Sequence, residues 1–183
     1  RGEYQEQDCI YLQKPTRNKD LLRSLLRTLH LSNEKTQIGD TTKPVTLRKT
    51  RILVVEDNSV NQMVIVKMLS KLGYINITAV ADGTEAINIC RKMPIDIILM
   101  DINLPGSKNG IQLTNDIKNS AVPTKVIVVS LHDEPHYLRS SLAAGAQGYV
   151  VKNSPLSELK TAITTVLDGQ TYICEKMRQY TIN

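Results

Sequence analysis

The sequence contains no tryptophan and no phenylalanine; its 4% aromatic content is seven tyrosines. A core must therefore be filled by Ile, Leu, Val and Met with a few Tyr. Cysteine is equally sparse. Cys9, Cys90 and Cys174 stand far apart with no Cys-x-x-Cys pair. That spacing excludes a thiolate zinc site and points to reduced thiols in a cytoplasmic setting. No apolar run approaches the roughly 20 residues of a membrane helix, and no secretory leader is read at the start. What remains is a 183-residue chain with 41% hydrophobic residues, enough for one domain plus an appendage.

Charge is unevenly spread. Residues 1–50 carry 10 Lys+Arg against 6 Asp+Glu, so +4 of the overall +5 lies there. Residues 51–183 carry 13 against 12 and are nearly neutral. The main domain thus lacks a basic, aromatic-interleaved stripe, and nucleic-acid binding by this chain is not expected.

From Arg51 onward, strand and helix patterns alternate. Arg51–Glu56 reads as a first strand. Val60, Val64, Met68 and Leu72, four apart, read as one face of a helix over 59–72 that Gly73 ends. Ile75–Val80, Asp96–Met100, Lys125–Val129 and Tyr149–Val151 read as further strands. Helices are expected over 83–93, around Ile111, Leu113 and Ile117, over 134–144 and over 156–167. Five β-α units in a row imply a doubly wound, five-stranded parallel α/β fold with helices on both faces. Ligands of such sheets bind beyond the carboxyl ends of the strands.

The run Asp96-Ile97-Ile98-Leu99-Met100-Asp101 carries the most information. Four consecutive apolar residues read as a strand buried on both faces that delivers a carboxylate at its end. Ile52-Leu53-Val54-Val55 ends likewise in Glu56-Asp57. Side by side, these strands gather three carboxylates whose mutual repulsion needs a cation. Oxygen-only ligands favour Mg2+ over zinc. Ser130 and Lys152 close the fourth and fifth strands. Taken singly, each of these residues reads as a solvated side chain or a turn cap. Acid pair, acid, hydroxyl and lysine closing four strands in that order is the signal.

These stretches resemble a known family. Val54-Val55-Glu56-Asp57-Asn58-Ser59-Val60-Asn61-Gln62 is similar to the opening of two-component receiver domains, most closely those of hybrid sensor histidine kinases. Asp96–Pro105, Val128-Val129-Ser130 and Gly148-Tyr149-Val150-Val151-Lys152 resemble the remaining signatures. The resemblance spans about residues 51–168 and implies a flavodoxin-like receiver fold. It further implies that Asp101 accepts a phosphoryl group from a phosphohistidine. Glu56, Asp57, Asp101 and the Asn103 backbone carbonyl would hold Mg2+, and Ser130 and Lys152 would contact phosphoryl oxygens. Ser130 and Tyr149 would then form the switch. The implied partner is a histidine kinase or a histidine phosphotransfer domain. The implied setting is cytoplasmic, including the cytoplasmic part of a membrane-anchored sensor kinase. No membrane contact is expected of this chain.

Other features point elsewhere. Leu131-His132-Asp133-Glu134-Pro135 and Asp168-Gly169-Gln170-Thr171-Tyr172 resemble receivers of DNA-binding regulators, which gives an alternative: a receiver cut before its helix-turn-helix output. A receiver is not itself a turnover enzyme, although a full-length histidine kinase would be one. An aspartyl-phosphate phosphatase is disfavoured because Asn103 stands where a second acid is expected. His132 and His136 read as surface residues. Finally, Tyr11-Leu12-Gln13-Lys14 aligns with Tyr149–Lys152 at a shift of 138 residues, and Leu21, Leu25 and Leu29 with Leu159, Ile163 and Leu167. Residues 1–30 therefore read as the tail of a second receiver-like domain and 31–50 as a linker. Residues 51–172 then form the receiver and 173–183 a C-terminal tail. The apolar stripe in residues 21–29 makes docking or a homodimer the expected fate of the leading segment.

Overall fold

The computed structural model describes residues 49–120 and 123–181. The receiver-like remnant at 1–30 and nearly all of the linker lie outside the described residues. The described chain runs β1 (Arg51–Val55), α1 (Ser59–Leu72), β2 (Asn76–Val80), α2 (Gly83–Lys92), β3 (Ile97–Met100) and α3 (Gly110–Asn119). It continues with β4 (Lys125–Ser130), α4 (Pro135–Ala143), β5 (Gly148–Val151), α5 (Leu156–Leu167), β6 (Tyr172–Ile173) and α6 (Glu175–Arg178). All strands are parallel, in the order β2-β1-β3-β4-β5-β6.

The central strands show why they read as unbroken apolar runs. In β1, Ile52 and Val54 join one core with Ile97 and Leu99 of β3, while Leu53 and Val55 join a second with Ile98 and Met100. Successive side chains face opposite sides of the sheet, and both sides are covered. Ile65 and Leu69 of α1 and Leu159, Ile163 and Val166 of α5 fill the first core. Ala86 of α2 and Leu113 and Ile117 of α3 fill the second. With no Phe or Trp, the largest fully buried side chains are Tyr74 and Tyr149.

Two expectations are corrected. The sheet has six strands, not five: Tyr172 pairs with Gly148 and Ile173 with Tyr149. Cys174 and Met177, read as tail, are fully buried. A two-residue strand is too short to show a periodic pattern, so the sequence offers no strand signal there. In α1 the core face is centred on Ile65 and Leu69 rather than on Val60 and Val64. Val66, Met68 and Leu72 flank it. At about 100° per residue the four-apart stripe drifts around the helix, and the buried face lies one position further on.

Local chemistry fixes the ends of α1. The Asn58 side chain accepts hydrogen bonds from the Val60 and Asn61 backbone N–H groups at 3.0 and 3.1 Å. Gly73 ends the helix with φ 96°, a left-handed conformation that disfavours any side chain.

Candidate functional site

Sheet register assembles the site. Val55 is the partner of Met100 across β1 and β3, so Glu56 and Asp101 emerge side by side. The Asp101 N–H donates to the Val55 carbonyl at 2.9 Å, and the Glu56 N–H to the Val80 carbonyl at 3.1 Å. Ser130 is paired with Val151, and the Lys152 N–H donates to the Ser130 carbonyl at 2.7 Å. Each of these residues therefore sits on the last rung of a ladder or just beyond it.

Glu56, Asp57 and Asp101 each offer a carboxylate oxygen, and these oxygens lie within 4.8 Å of one another. Glu56 and Asp101 are buried, whereas Asp57 is exposed. Lys152 Nζ sits 2.7 Å from Glu56 Oε2 and 2.8 Å from Asp101 Oδ2. The contact to Asp101 is an aligned hydrogen bond. The contact to Glu56 is close but poorly aligned, and among the described residues Oε2 has no directed hydrogen bond. We count it as an ion pair, because Coulomb attraction at that distance does not need the hydrogen-bond angle.

Glu56 is held on its other oxygen by Asn61, whose side-chain amide donates to Oε1 at 2.9 Å. Burial pushes the Glu56 carboxyl up, with the Asp101 charge adding to the rise. Lys152 and Asn61 oppose the rise. Gln62 donates to the carbonyls of Glu56 at 3.2 Å and Val80 at 3.0 Å, tying the loop after β1 to β2. The Ile102 N–H donates to Asp101 Oδ1 at 2.8 Å. Asp101 thus keeps two fixed donors while its carboxylate faces the cluster.

The donor set fits a hard divalent cation. All candidate ligands are oxygens, one carboxylate is solvent-facing and leaves room for water, and buried Glu56 Oε2 lacks a directed donor. Gly110 serves the same site from behind. A Cβ there would lie 1.8 Å from the Asp101 carbonyl oxygen, so α3 can start this close to the site only with glycine.

The remaining expected residues form a second group. Ser130 is fully buried, and its Oγ accepts a hydrogen bond from the His132 N–H at 3.2 Å. Tyr149 is fully buried and donates from its hydroxyl to the His132 carbonyl at 2.9 Å. Burial pushes its phenol well above the usual range. Asn103 is exposed, and its side-chain amide lies 3.1–3.2 Å from His132 Nε2. His132, read as a surface residue, is instead half-buried and joined to this group. His136 is exposed, as read. Asn61, Gln62 and His132 were given no role by the sequence. Their only signal was proximity in sequence to Glu56 and Ser130.

A family model for the response regulator receiver domain matches residues 52–164. The oxygen regulatory protein NreC of Staphylococcus aureus (strain JH9) is 31% identical over 134 residues, covering 73% of this chain and 62% of NreC. The chain thus spans less than two thirds of the length of the curated relatives it matches. A LuxR-family two-component response regulator from Aurantimonas sp. SI85-9A1 superposes with a TM-score of 0.67 at 29% identity, covering 71% of this chain and 93% of that one. The isolated receiver domain of RcsB from Salmonella enterica serovar Typhimurium, solved with the phosphomimetic BeF3-, shares the fold. Its TM-score is 0.64 at 22% identity, covering 72% of this chain and 97% of that one.

Proposed function

Because this chain belongs to the response regulator receiver domain family, we propose that it is the phosphoacceptor of a two-component relay, with Asp101 as the acceptor. An Asp101 carboxylate oxygen attacks the phosphorus of a phosphohistidine. The new O–P bond gives an acyl phosphate as the P–N bond breaks, and its electron pair returns to the imidazole nitrogen. The observation that carries this reading is Lys152 Nζ, held 2.8 Å from Asp101 Oδ2 and 2.7 Å from Glu56 Oε2. A cation fixed there neutralises charge where an incoming phosphoryl group spreads it over its oxygens.

Glu56, Asp57, Asp101 and the Asn103 backbone carbonyl would hold Mg2+. Bound there, Mg2+ would supply the second positive charge that lets two anions approach. Ser130 Oγ, which accepts from the His132 N–H, is placed to turn toward a phosphoryl oxygen, with Tyr149 following it. The donor is a histidine kinase or a histidine phosphotransfer domain. The domain is an acceptor rather than a turnover enzyme, since the amide of Asn103 is too weak an acid to protonate a leaving group as a carboxylic acid there would.

The sequence wording favoured a hybrid histidine kinase. The likeness to NreC and to a LuxR-family regulator favours the alternative, a receiver that serves a DNA-binding regulator. Among the described residues no helix is long and apolar enough to cross a membrane. A cytoplasmic setting follows from the relay chemistry proposed.

Mass spectrometry of the chain treated with Mg2+ and a small phosphodonor tests the assignment. One phosphoryl group on the wild type and none on Asp101→Asn is expected. Wild-type labelling of the variant would overturn it.

A further inference from the structure

His132 is the meeting point of two loops. Its main chain holds the switch residues: the N–H donates to Ser130 Oγ at 3.2 Å and the carbonyl accepts from the Tyr149 hydroxyl at 2.9 Å. Its side chain reaches the loop after Asp101, with Nε2 at 3.1–3.2 Å from the Asn103 amide group. The imidazole also stacks on Tyr137 of α4, centroids 3.9 Å apart at 22°. Glu134 Oε2 lies 3.6 Å from Nδ1.

A ring held on one face and two edges moves as a unit with its own peptide. The buried Tyr149 hydroxyl needs an acceptor, and it donates to that peptide's carbonyl at 2.9 Å. Anything that moves Asn103 therefore pulls on the group that places Tyr149. Among the described residues, the Asn103 side chain makes no hydrogen bond other than that to His132. We infer that His132 is a positioning residue that links the loop after Asp101 to Tyr149. Occupancy at Asp101 reaches the buried tyrosine through the Asn103–His132 contact. This rests on Asp101 being the phosphoacceptor.

The test reads Tyr149 directly. Ring and amide chemical shifts of 13C,15N-labelled tyrosine are followed on adding Mg2+ and beryllofluoride, with phosphodonor labelling of Asp101 measured separately. His132→Ala keeps the main-chain bonds to Ser130 and Tyr149 and removes the link to Asn103. The Tyr149 response should shrink by about twofold or more, the low end of coupling between contacting side chains. Asp101 should still label. His132→Gln, which can still bond the Asn103 amide, should restore part of the response. Asn103→Ala cuts the same contact from an exposed position, so the result stands even if the His132 variants fold poorly. The double variant should lose no more than either single one. An undiminished Tyr149 response in labelled His132→Ala and Asn103→Ala protein overturns the link alone. No labelling of the wild type overturns the acceptor assignment and the link together.

Discussion

Lys152 reaches from the end of β5 past β4 and β3 to within 2.7 Å of Glu56 Oε2 beside β1, with Asp101 between them. One cation, its side chain 10% exposed, thus serves two buried carboxylates, which leaves a net negative site before any metal binds. The two ends of this contact respond oppositely to substitution. Lys152→Met keeps the stem but strands Glu56 and Asp101 with no positive neighbour, and should cost about 3–5 kcal/mol of stability without metal. Glu56→Gln removes a buried charge and leaves Lys152 paired with Asp101, so it should stabilise the metal-free fold near neutral pH.

The pH dependence of that second variant fixes its sign. Burial raises the Glu56 carboxyl above its ordinary 4.5, so the folded state holds this proton more tightly than the unfolded state. The group's contribution is fully present below pH 4.5 and lost as pH rises through the raised folded value. Glu56→Gln lacks that loss. Its advantage over wild type in metal-free urea unfolding should grow as pH rises through this window. Added Mg2+ should erase the advantage by stabilising only the wild type appreciably.

Gly110→Ala places a methyl 1.8 Å from the Asp101 carbonyl oxygen and 3.1 Å from Ile102 Cα. Both neighbours are backbone and cannot swing away as a side chain would. The start of α3 and the loop after Asp101 must separate, at a cost of about 1–3 kcal/mol. Phosphodonor labelling should fall further than stability does, because the displaced strand end carries the acceptor. Equal labelling rates for the two proteins would separate Gly110 from the site.

How far the sequence could be read has a physical reason in each case. β1 and β3 were legible because burial on both faces forces four consecutive apolar residues. The arrival of Glu56, Asp57, Asp101 and Lys152 at one edge followed from parallel register, which places whatever follows the last rung. Contacts between loops have no period. Asn61 on Glu56 and His132 on Asn103 therefore stayed invisible although their residues were in plain view. β6 escaped because two residues show no alternation, and its burial comes from Cys174 and Met177 beyond it. The α1 stripe was read one residue off because a four-apart count outruns a 3.6-residue turn.

Tyr74 gives a prediction of gain. Its side chain is 1% exposed, and its hydroxyl has no hydrogen-bond partner among the described residues. A buried hydroxyl without a partner costs about 1–3 kcal/mol relative to one that is satisfied. Tyr74→Phe keeps the ring volume in a core otherwise lacking phenylalanine. The variant should be as stable as wild type or more stable by about 1 kcal/mol, read as a higher urea midpoint at unchanged slope. A loss of stability would reveal an acceptor for that hydroxyl.

The last prediction concerns the segment after α5. β6 covers the open edge of β5, with the Tyr172 N–H donating to the Gln147 carbonyl and the Cys174 N–H to the Tyr149 carbonyl, each at 2.9 Å. Glu158 of α5 accepts from the Glu175 N–H at 2.7 Å and from the Tyr172 hydroxyl at 3.1 Å. Lys176 pairs with Asp133 in the loop after β4. Met177 is fully buried, so Met177→Ala should cost about 2–5 kcal/mol. Ending the chain at Thr171 removes all of these contacts and bares the β5 edge, a template for pairing with a second molecule. Burial alone would raise the Glu158 carboxyl, but hydrogen bonds from Glu175, Ser154 and Tyr172 and the Arg178 charge outweigh it and hold the group below 4.5; all of these but Ser154 come from this segment. That contribution is present above pH 4.5 and is lost as pH falls through the lower folded value. The shortened chain should therefore unfold at lower urea near neutral pH, with the gap to wild type closing toward acid. Light scattering should show it associating at concentrations where wild type does not. A shortened chain that is as stable and as monomeric as wild type would make the segment an appendage rather than part of the domain.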